Sequence, residues 1–162
     1  MLTYERAKAE HFEELLCLIY DQKTTYLEPK LDLIQLTWEQ FGKFFRTVGS
    51  VYRICQDHRL VGLCWVEEEG NLLFLQGLII QRQFQRSGIG TQTLHFLENA
   101  YQDRVEAIEL KVHESNPGAK VLYERCGYRT VHKAVNQGLY VMQKRLREKL
   151  PDEQAAFANE IV

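Results

Sequence analysis

The segment that most restricts how this chain folds is a nearly continuous apolar run over residues 72–80, broken only by Gln76 and Gly77. A run of this length predicts a strand that is buried on both faces in the middle of a sheet. Gly77 within it indicates a bulge, or a place where another backbone or a ligand comes close. We therefore expect the other strands to assemble around this one.

A turn with two glycines follows this strand and leads into a helix. The turn covers residues 85–90 and contains Gly88 and Gly90, and apolar residues then recur at helical spacing as far as Tyr101. Glycines let the backbone turn tightly and present successive N–H groups, while the helix N-terminus adds positive potential. Together these features are typical of an anion site that holds a pyrophosphate.

Two better-known phosphate motifs do not fit this turn. A Walker loop needs a lysine after its last glycine, where this chain has Thr91. A Rossmann fingerprint needs a third glycine, where the chain has Thr93, and an opening strand at the start of the domain. A Gly-x-Gly pair also occurs simply to turn the chain. These residues alone leave a phosphate site and a plain turn as alternatives.

The rest of the chain predicts helices interleaved with hairpins. We expect strands over residues 2–7, 51–56, 60–66, 107–112, 128–131 and 140–146, with residues 67–71 as a polar turn. Helices are expected over residues 10–21, from a capping box at Thr37 and Gln40 to Gly49, and from Asn116 as N-cap to Gly127. This alternation predicts an α/β or α+β fold with a mixed sheet.

Length and composition limit the class of protein further. The 162 residues predict one domain over residues 1–146 and a C-terminal appendage over residues 147–162 with room for a short helix. The net charge of -2 is spread over interspersed acids and bases, which argues against nucleic acid as a partner. No apolar run approaches the ~20 residues of a membrane span, and the cysteines are too far apart for a zinc site. We interpret the chain as a cytoplasmic protein without a metal or a membrane contact.

Two motifs in register resemble the core of the GNAT superfamily of acetyl-CoA-dependent N-acetyltransferases. Gln85-x-x-Gly88-x-Gly90, directly after the buried strand, resembles the acetyl-CoA signature of that family. A second set of residues resembles the second half of the family core: Leu110-Lys111-Val112, Asn116, Ala119, Leu122-Tyr123-Glu124 and Gly127-Tyr128. The resemblance covers residues 51–146. It implies a mixed, mostly antiparallel sheet of about six or seven strands, flanked by helices, whose fourth and fifth strands splay apart.

The resemblance also implies how acetyl-CoA is held as the acetyl donor. The pantetheine arm pairs with backbone groups of Leu78, Ile79 and Ile80, and a strand N–H near Ile79 is the candidate partner of the developing oxyanion. Asn116 hydrogen-bonds the pantetheine, or serves only as a helix cap. The pyrophosphate is bound by main-chain N–H groups of the residues of the turn, namely Gln85, Arg86, Ser87, Gly88, Ile89, Gly90 and Thr91.

The implied reaction is aminolysis of the thioester, for which Tyr123 is the candidate acid. A phenol with an ordinary pKa of ~10 reaches the reaction protonated and donates to the departing thiolate. Relatives carry acids where this chain has Gln76 or Lys111, so the base stays open among Glu67, His113 and Glu114. The alternative function is an inactive CoA-binding module that acts through a partner.

The acceptor is expected to be an amine of a small molecule or a peptide. In the resemblance it meets the loop between the first two helices, where acidic and aromatic residues suit a cation: Tyr20, Asp21, Tyr26, Glu28 and Asp32. A plain solvated loop is the alternative. Dimers are common among such proteins, so a homodimer is one expected assembly.

Overall fold

A computed structural model describes residues 1–22 and 35–147 of the chain. The described residues form seven strands and four α-helices. In chain order these are β1 Leu2–Arg6, α1 Phe12–Asp21, α2 Trp38–Thr47, β2 Ser50–Gln56, β3 Arg59–Glu69, β4 Leu72–Ile80, α3 Ile89–Tyr101, β5 Ala107–His113, α4 Pro117–Arg125, β6 Arg129–Ala134 and β7 Leu139–Arg145.

All seven strands belong to one sheet, in the order β1-β2-β3-β4-β5-β7-β6. Every neighbouring pair is antiparallel except β4 and β5, which are parallel and are joined through α3. A parallel pair needs a crossover connection, which the glycine turn and α3 supply. The expected mixed, mostly antiparallel sheet of six or seven strands is confirmed.

The helices cover the sheet on two faces. On one face, α3 and α4 pack Leu94, Leu97 and Tyr123 against β4, β5 and β7. On the other face, α1 and α2 pack Leu15, Phe41 and Phe45 against Leu63 and Trp65 of β3 and Ile79 of β4. We call these the α3/α4 face and the α1/α2 face.

Local signals in the sequence place the helix ends. The Thr37 hydroxyl accepts from the Gln40 N–H at 3.2 Å, and the Gln40 side chain accepts from the Thr37 N–H, so the predicted capping box is confirmed. The Asn116 side chain accepts from the Ala119 N–H at 3.3 Å, with proline in the first turn of α4. These caps fix where α2 and α4 begin.

A bulge in β4 divides this central strand into two parts. Gly77 pairs with Trp65 and Leu75 pairs with Val66, so Gln76 is an extra residue on β4. The bulge reverses the alternation of side chains, because Leu75 packs in the α3/α4 core and Ile79 in the α1/α2 core. The predicted irregularity at Gly77 is thereby confirmed, with the extra residue one position earlier.

The parallel pairing of β4 with β5 stops at this bulge. It extends only over Leu72–Leu75 of β4, and the last pair is Leu75 with Leu110. Beyond the bulge, residues 77–80 pair with β3 but not with β5. The fourth and fifth strands therefore splay apart, as the family resemblance implied.

Three predictions about the elements were wrong in detail. β4 is not buried on both faces, because its residues alternate between buried and half-buried. β3 continues through Glu69, where a polar turn was expected, since those residues pair with β4. β6 begins at Arg129 rather than at Tyr128, because the Tyr128 ring is a core residue and only 2% exposed.

Two further predictions fall outside the described residues. Apart from Arg147, the predicted C-terminal appendage over residues 147–162 lies there, and so do Tyr26, Glu28 and Asp32 of the acceptor loop. Among the described helices, none combines the length and apolar character required to cross a membrane.

Candidate functional site

The glycine turn presents a row of unused backbone donors at the start of α3. Arg86 has φ +62° and Gly88 has φ +86°, so the chain reverses sharply before the helix begins at Ile89. Within the described residues, the N–H groups of residues 86–91 have no acceptor. Free N–H groups at a helix N-terminus carry partial positive charge. The turn therefore has the donors that an anion site requires, and anion binding there stays a prediction.

Glycine is required at the two positions of the turn for different structural reasons. Gly88 lies in the left-handed region and a side chain there would meet open space, so its backbone conformation is what requires glycine. A Cβ at Gly90 would lie 2.9 Å from Cδ2 of Leu122. Gly90 therefore lets α4 pack closely on α3. The sequence did not point to Leu122 as the partner of this glycine.

Side chains hold the two ends of the turn in place. Ile89 is buried with Ile54 and Val61, which anchors the first turn of α3 on the sheet. The Ser87 hydroxyl donates to the Phe84 carbonyl. The Gln85 amide donates to the Ile80 carbonyl at 2.9 Å and so ties the turn to the end of β4. Thr91 lies in the first turn of α3, where the Cys126 thiol is 3.9 Å from its hydroxyl.

The open half of β4 exposes backbone groups toward β5. The Gln81 N–H donates to the Val61 carbonyl of β3 at 2.8 Å. Because successive residues of a strand point their backbone groups to opposite sides, Ile79 also faces β3, whereas Leu78 and Ile80 face the gap. The N–H of Leu78 rather than that of Ile79 is thus the one open toward the gap, and its role as oxyanion donor stays a prediction. The Ile80 carbonyl is already occupied by the amides of Gln22, at 2.6 Å, and Gln85.

Tyr123 lies in the core on the α3/α4 side of this gap. Its side chain is 8% exposed and belongs to the buried cluster that includes Leu75 and Leu110, the last β4–β5 pair. Burial raises the pKa of the Tyr123 phenol, with a smaller contribution from Cys126, so the hydroxyl stays protonated at neutral pH. No described residue hydrogen-bonds this hydroxyl.

Asn116 occupies the end of β5 as the N-cap of α4. Its side-chain oxygen is used by the cap, and its N–H donates to the His113 carbonyl at 2.9 Å. The cap interpretation is confirmed, and the side-chain amide nitrogen is left for a ligand. A contact between Asn116 and pantetheine stays a prediction.

The three candidate bases have different surroundings. Glu67 accepts from the Gln76 amide at 3.2 Å, beside the bulge. His113 accepts at Nδ1 from the Ser115 N–H at 3.1 Å, and the same nitrogen lies 2.8 Å from the Ser115 hydroxyl. Glu114 is an exposed residue after β5 whose N–H donates to the Gly138 carbonyl.

An aromatic pair lies at the C-terminal end of α1 and the N-terminal end of α2, where the acceptor was expected to bind. Tyr20 is 49% exposed and Trp38 is 37% exposed, with ring centroids 5.4 Å apart. Asp21 is the exposed last residue of α1. These residues flank the undescribed residues 23–34, at the mouth of the α1/α2 face.

No metal chemistry is apparent in the described part of the chain. No three His, Cys, Asp or Glu side chains come together there in a group that would hold a metal ion. The site consists instead of backbone donors, a buried phenol and the opened strand edge.

Comparisons with known proteins agree with this geometry. The model of the "Acetyltransferase (GNAT) family" matches residues 11–128. Since the match spans more than half of the sequence, the chain belongs to the GNAT acetyltransferase family. No curated protein matches the chain in a sequence search.

Solved structures of this fold come from several organisms. The Escherichia coli ribosomal-protein-S18-alanine N-acetyltransferase aligns with TM-score 0.69 and 16% identity, over 92% of this chain and 96% of that one. The PaiA N-acetyltransferase of Thermoplasma acidophilum, in complex with coenzyme A, aligns with TM-score 0.72 and 16% identity, over 90% and 99%. The spermidine/spermine N-acetyltransferase SpeG of Vibrio cholerae, in mutant forms, aligns with TM-score 0.69 and 16% identity, over 90% and 94%. At these identities the similarity establishes the fold.

Proposed function

We propose that this protein is an N-acetyltransferase that transfers the acetyl group of acetyl-CoA to a primary amine of a small molecule or a peptide. The observation that carries the proposal is the row of unused N–H groups at residues 86–91, placed next to the open edge of β4. A pyrophosphate fits that row, and an amide-containing arm fits the strand edge. Membership of the GNAT family supports the same ligand.

Each part of the site has a task in this reaction. The turn binds the pyrophosphate, and the open backbone groups of Leu78, together with the N–H of Ile80, pair with the pantetheine arm in the way that a strand would. The thioester then lies in the gap between β4 and β5, where the Leu78 N–H faces the developing oxyanion. Tyr123 donates its phenolic proton to the departing thiolate, because burial keeps that proton in place.

The acceptor class follows from the reaction and from the relatives. An alkyl amine has a pKa of ~10.4 and must lose a proton before it attacks. The neighbours described above act on an alanine of ribosomal protein S18 and on spermidine or spermine, which supports an amine acceptor here. Tyr20 and Asp21 lie where the amine would enter, and an aromatic ring beside a carboxylate suits a cation.

The test is a thiol-release screen with acetyl-CoA and a panel of amines that includes spermidine and a peptide with an N-terminal alanine. Release of CoA thiol that depends on one of the amines, with acetylation of that amine seen by mass spectrometry, is the expected result. Acetyl-CoA binding by calorimetry without thiol release from any amine would instead favour the inactive CoA-binding module.

A further inference from the structure

The bulge of β4 brings an acidic side chain to the gap from the face opposite Tyr123. Glu67 is two residues after Trp65 and four after Leu63 on β3, and both of those residues pack in the α1/α2 core. Its side chain therefore lies on the α1/α2 face. Gln76, the extra residue of the bulge, reaches the same face, since its amide donates to Glu67 Oε2 at 3.2 Å. Gln76 directly follows the last residue of β4 that pairs with β5, and Glu67 lies on the neighbouring strand opposite Phe74, one residue before that end.

The backbone that carries Glu67 is held firmly by the end of α2. The Trp65 indole N–H donates to the Val48 carbonyl at 2.7 Å. Gly49 follows with φ +72°, and a Cβ there would lie 2.2 Å from the Val66 carbonyl oxygen and 3.3 Å from the Glu67 Cα. The turn after α2 thus lies directly against β3 at Glu67. A half-buried carboxylate on such a fixed strand keeps its position relative to the gap.

The other candidate bases lack this placement. The Nδ1 atom of His113 is already engaged by the N–H and the hydroxyl of Ser115. Glu114 is an exposed residue beyond the end of β5. On β5, the last residue that pairs with β4 is Leu110. The next residue, Lys111, is a cation and does not serve as a base.

We infer that Glu67 is the general base that removes the proton from the attacking amine, directly or through one bridging water, and that Gln76 is its positioning residue. This inference rests on the proposed function. The amine nitrogen bonds to the thioester carbon and gives a proton to Glu67, while the C–S bond breaks and the thiolate takes a proton from Tyr123. Glu67 then releases its proton to solvent, and Tyr123 is reprotonated from solvent. Acid and base act from opposite faces of the sheet.

Other charged groups share the face of Glu67. Glu69 lies two residues farther along β3, and Glu109 and Lys111 alternate with the core residues of β5. α2 contributes Arg46 in its last turn. A change in the pH profile must therefore be assigned to Glu67 by comparison with a neighbour that carries the same charge on the same face.

The experiment is the pH dependence of kcat/KM for Glu67→Gln, Gln76→Ala and the matched control Glu69→Gln. The probe is spermidine or the alanine-terminated peptide, whichever the screen above shows to be acetylated. At pH 7 we expect kcat/KM of Glu67→Gln to be about 10²–10⁴-fold below wild type. This difference should become smaller as pH rises, because hydroxide in the solvent then accepts the proton. For Gln76→Ala, kcat/KM should fall about tenfold, and its dependence on pH should have the wild-type shape. Glu69→Gln should match wild type.

Two results separate this inference from the proposed function. If wild type acetylates the probe and folded Glu67→Gln keeps its kcat/KM, or loses the same factor at every pH, Glu67 is not the base. If Glu67→Gln does not fold, a Gln76→Ala variant with wild-type kcat/KM overturns the inference instead. If wild type binds acetyl-CoA but acetylates none of the amines, the proposed function fails and the inference with it.

Discussion

The two halves of β4 are both mainly apolar but have different neighbours. Leu72–Leu75 pairs with β3 on one side and with β5 on the other. Residues 77–80 pair with β3 alone, and the side toward β5 is open. One extra residue, Gln76, separates the closed half from the open half. A single bulge is thus sufficient to convert a central strand into a binding edge.

One end of β4 contributes to the stability of the core, and the other end contributes to the proposed binding site. In the closed half, Leu73 and Leu75 are core residues against α3. In the open half, the backbone of Leu78 and Ile80 and the turn that follows have unused hydrogen-bonding groups. Unused backbone groups inside a fold are costly, so their concentration here indicates a ligand.

Tyr123→Phe is the change with the largest expected effect on the open half. It removes one hydroxyl and keeps the ring and its packing, so kcat should fall by about 10²–10⁴-fold while the affinity for acetyl-CoA stays within about twofold. Because burial raises the pKa of this phenol, wild-type kcat should not fall on the alkaline side below about pH 10, the ordinary tyrosine value. Steady-state kinetics over pH measure both.

Tyr128→Phe is the matched control for that change. Tyr128 packs edge-on against Tyr123, with ring centroids 5.9 Å apart, and its buried hydroxyl has no partner among the described residues. Loss of that hydroxyl should leave kcat unchanged and should not lower the melting temperature. A Tyr123→Phe variant with wild-type kcat, where chemistry limits the rate, would make Tyr123 a packing residue like its neighbour.

Gly88→Val should weaken acetyl-CoA binding next most strongly. A side chain at φ +86° costs roughly 1–3 kcal/mol of strain. A turn that relaxes to relieve it moves its N–H groups, so the Kd should rise about ten- to a hundredfold. Calorimetry measures the Kd, and thermal unfolding measures the strain.

Gly70→Val is the control for the turn. Gly70 also has a positive φ, of +60°, and open space around its Cβ, but it lies in the β3–β4 turn at the closed end of β4. The melting temperature should fall by a similar amount in both variants. The affinity for acetyl-CoA should fall only in Gly88→Val. Equal affinities for the two variants would exclude the turn at Gly88 as the pyrophosphate site.

Gly90→Ala should have the smallest effect, on stability alone. Its methyl group would lie 2.9 Å from Leu122, whereas alanine favours a helix by about 1 kcal/mol over glycine. In a Leu122→Ala background the overlap disappears, so the same change should become stabilising by up to about 1 kcal/mol. Denaturant unfolding of the four chains of this double-mutant cycle measures the coupling. Additive effects would show that Gly90 does not act through Leu122.

Much of this arrangement could be predicted from the sequence, because its signals are local. The capping box at Thr37, the Asn116 cap and the Gly88 turn all follow from neighbouring residues. What could not be predicted depends on contacts across the fold. The register that turns Leu78 rather than Ile79 toward the gap depends on where the bulge falls, and the contact between Gly90 and Leu122 depends on how two helices pack. No signal in the sequence points to Gln22 at the Ile80 carbonyl.

The most direct test of the account is amide hydrogen exchange by NMR with and without acetyl-CoA. The account predicts that acetyl-CoA slows exchange at Leu78, at Ile80 and at residues 86–91, where donors are open in the free protein. Exchange at Leu73 and Leu75, which lie in the closed half, should not change. Saturating acetyl-CoA that leaves the open half of β4 and the turn as unprotected as before would contradict the account.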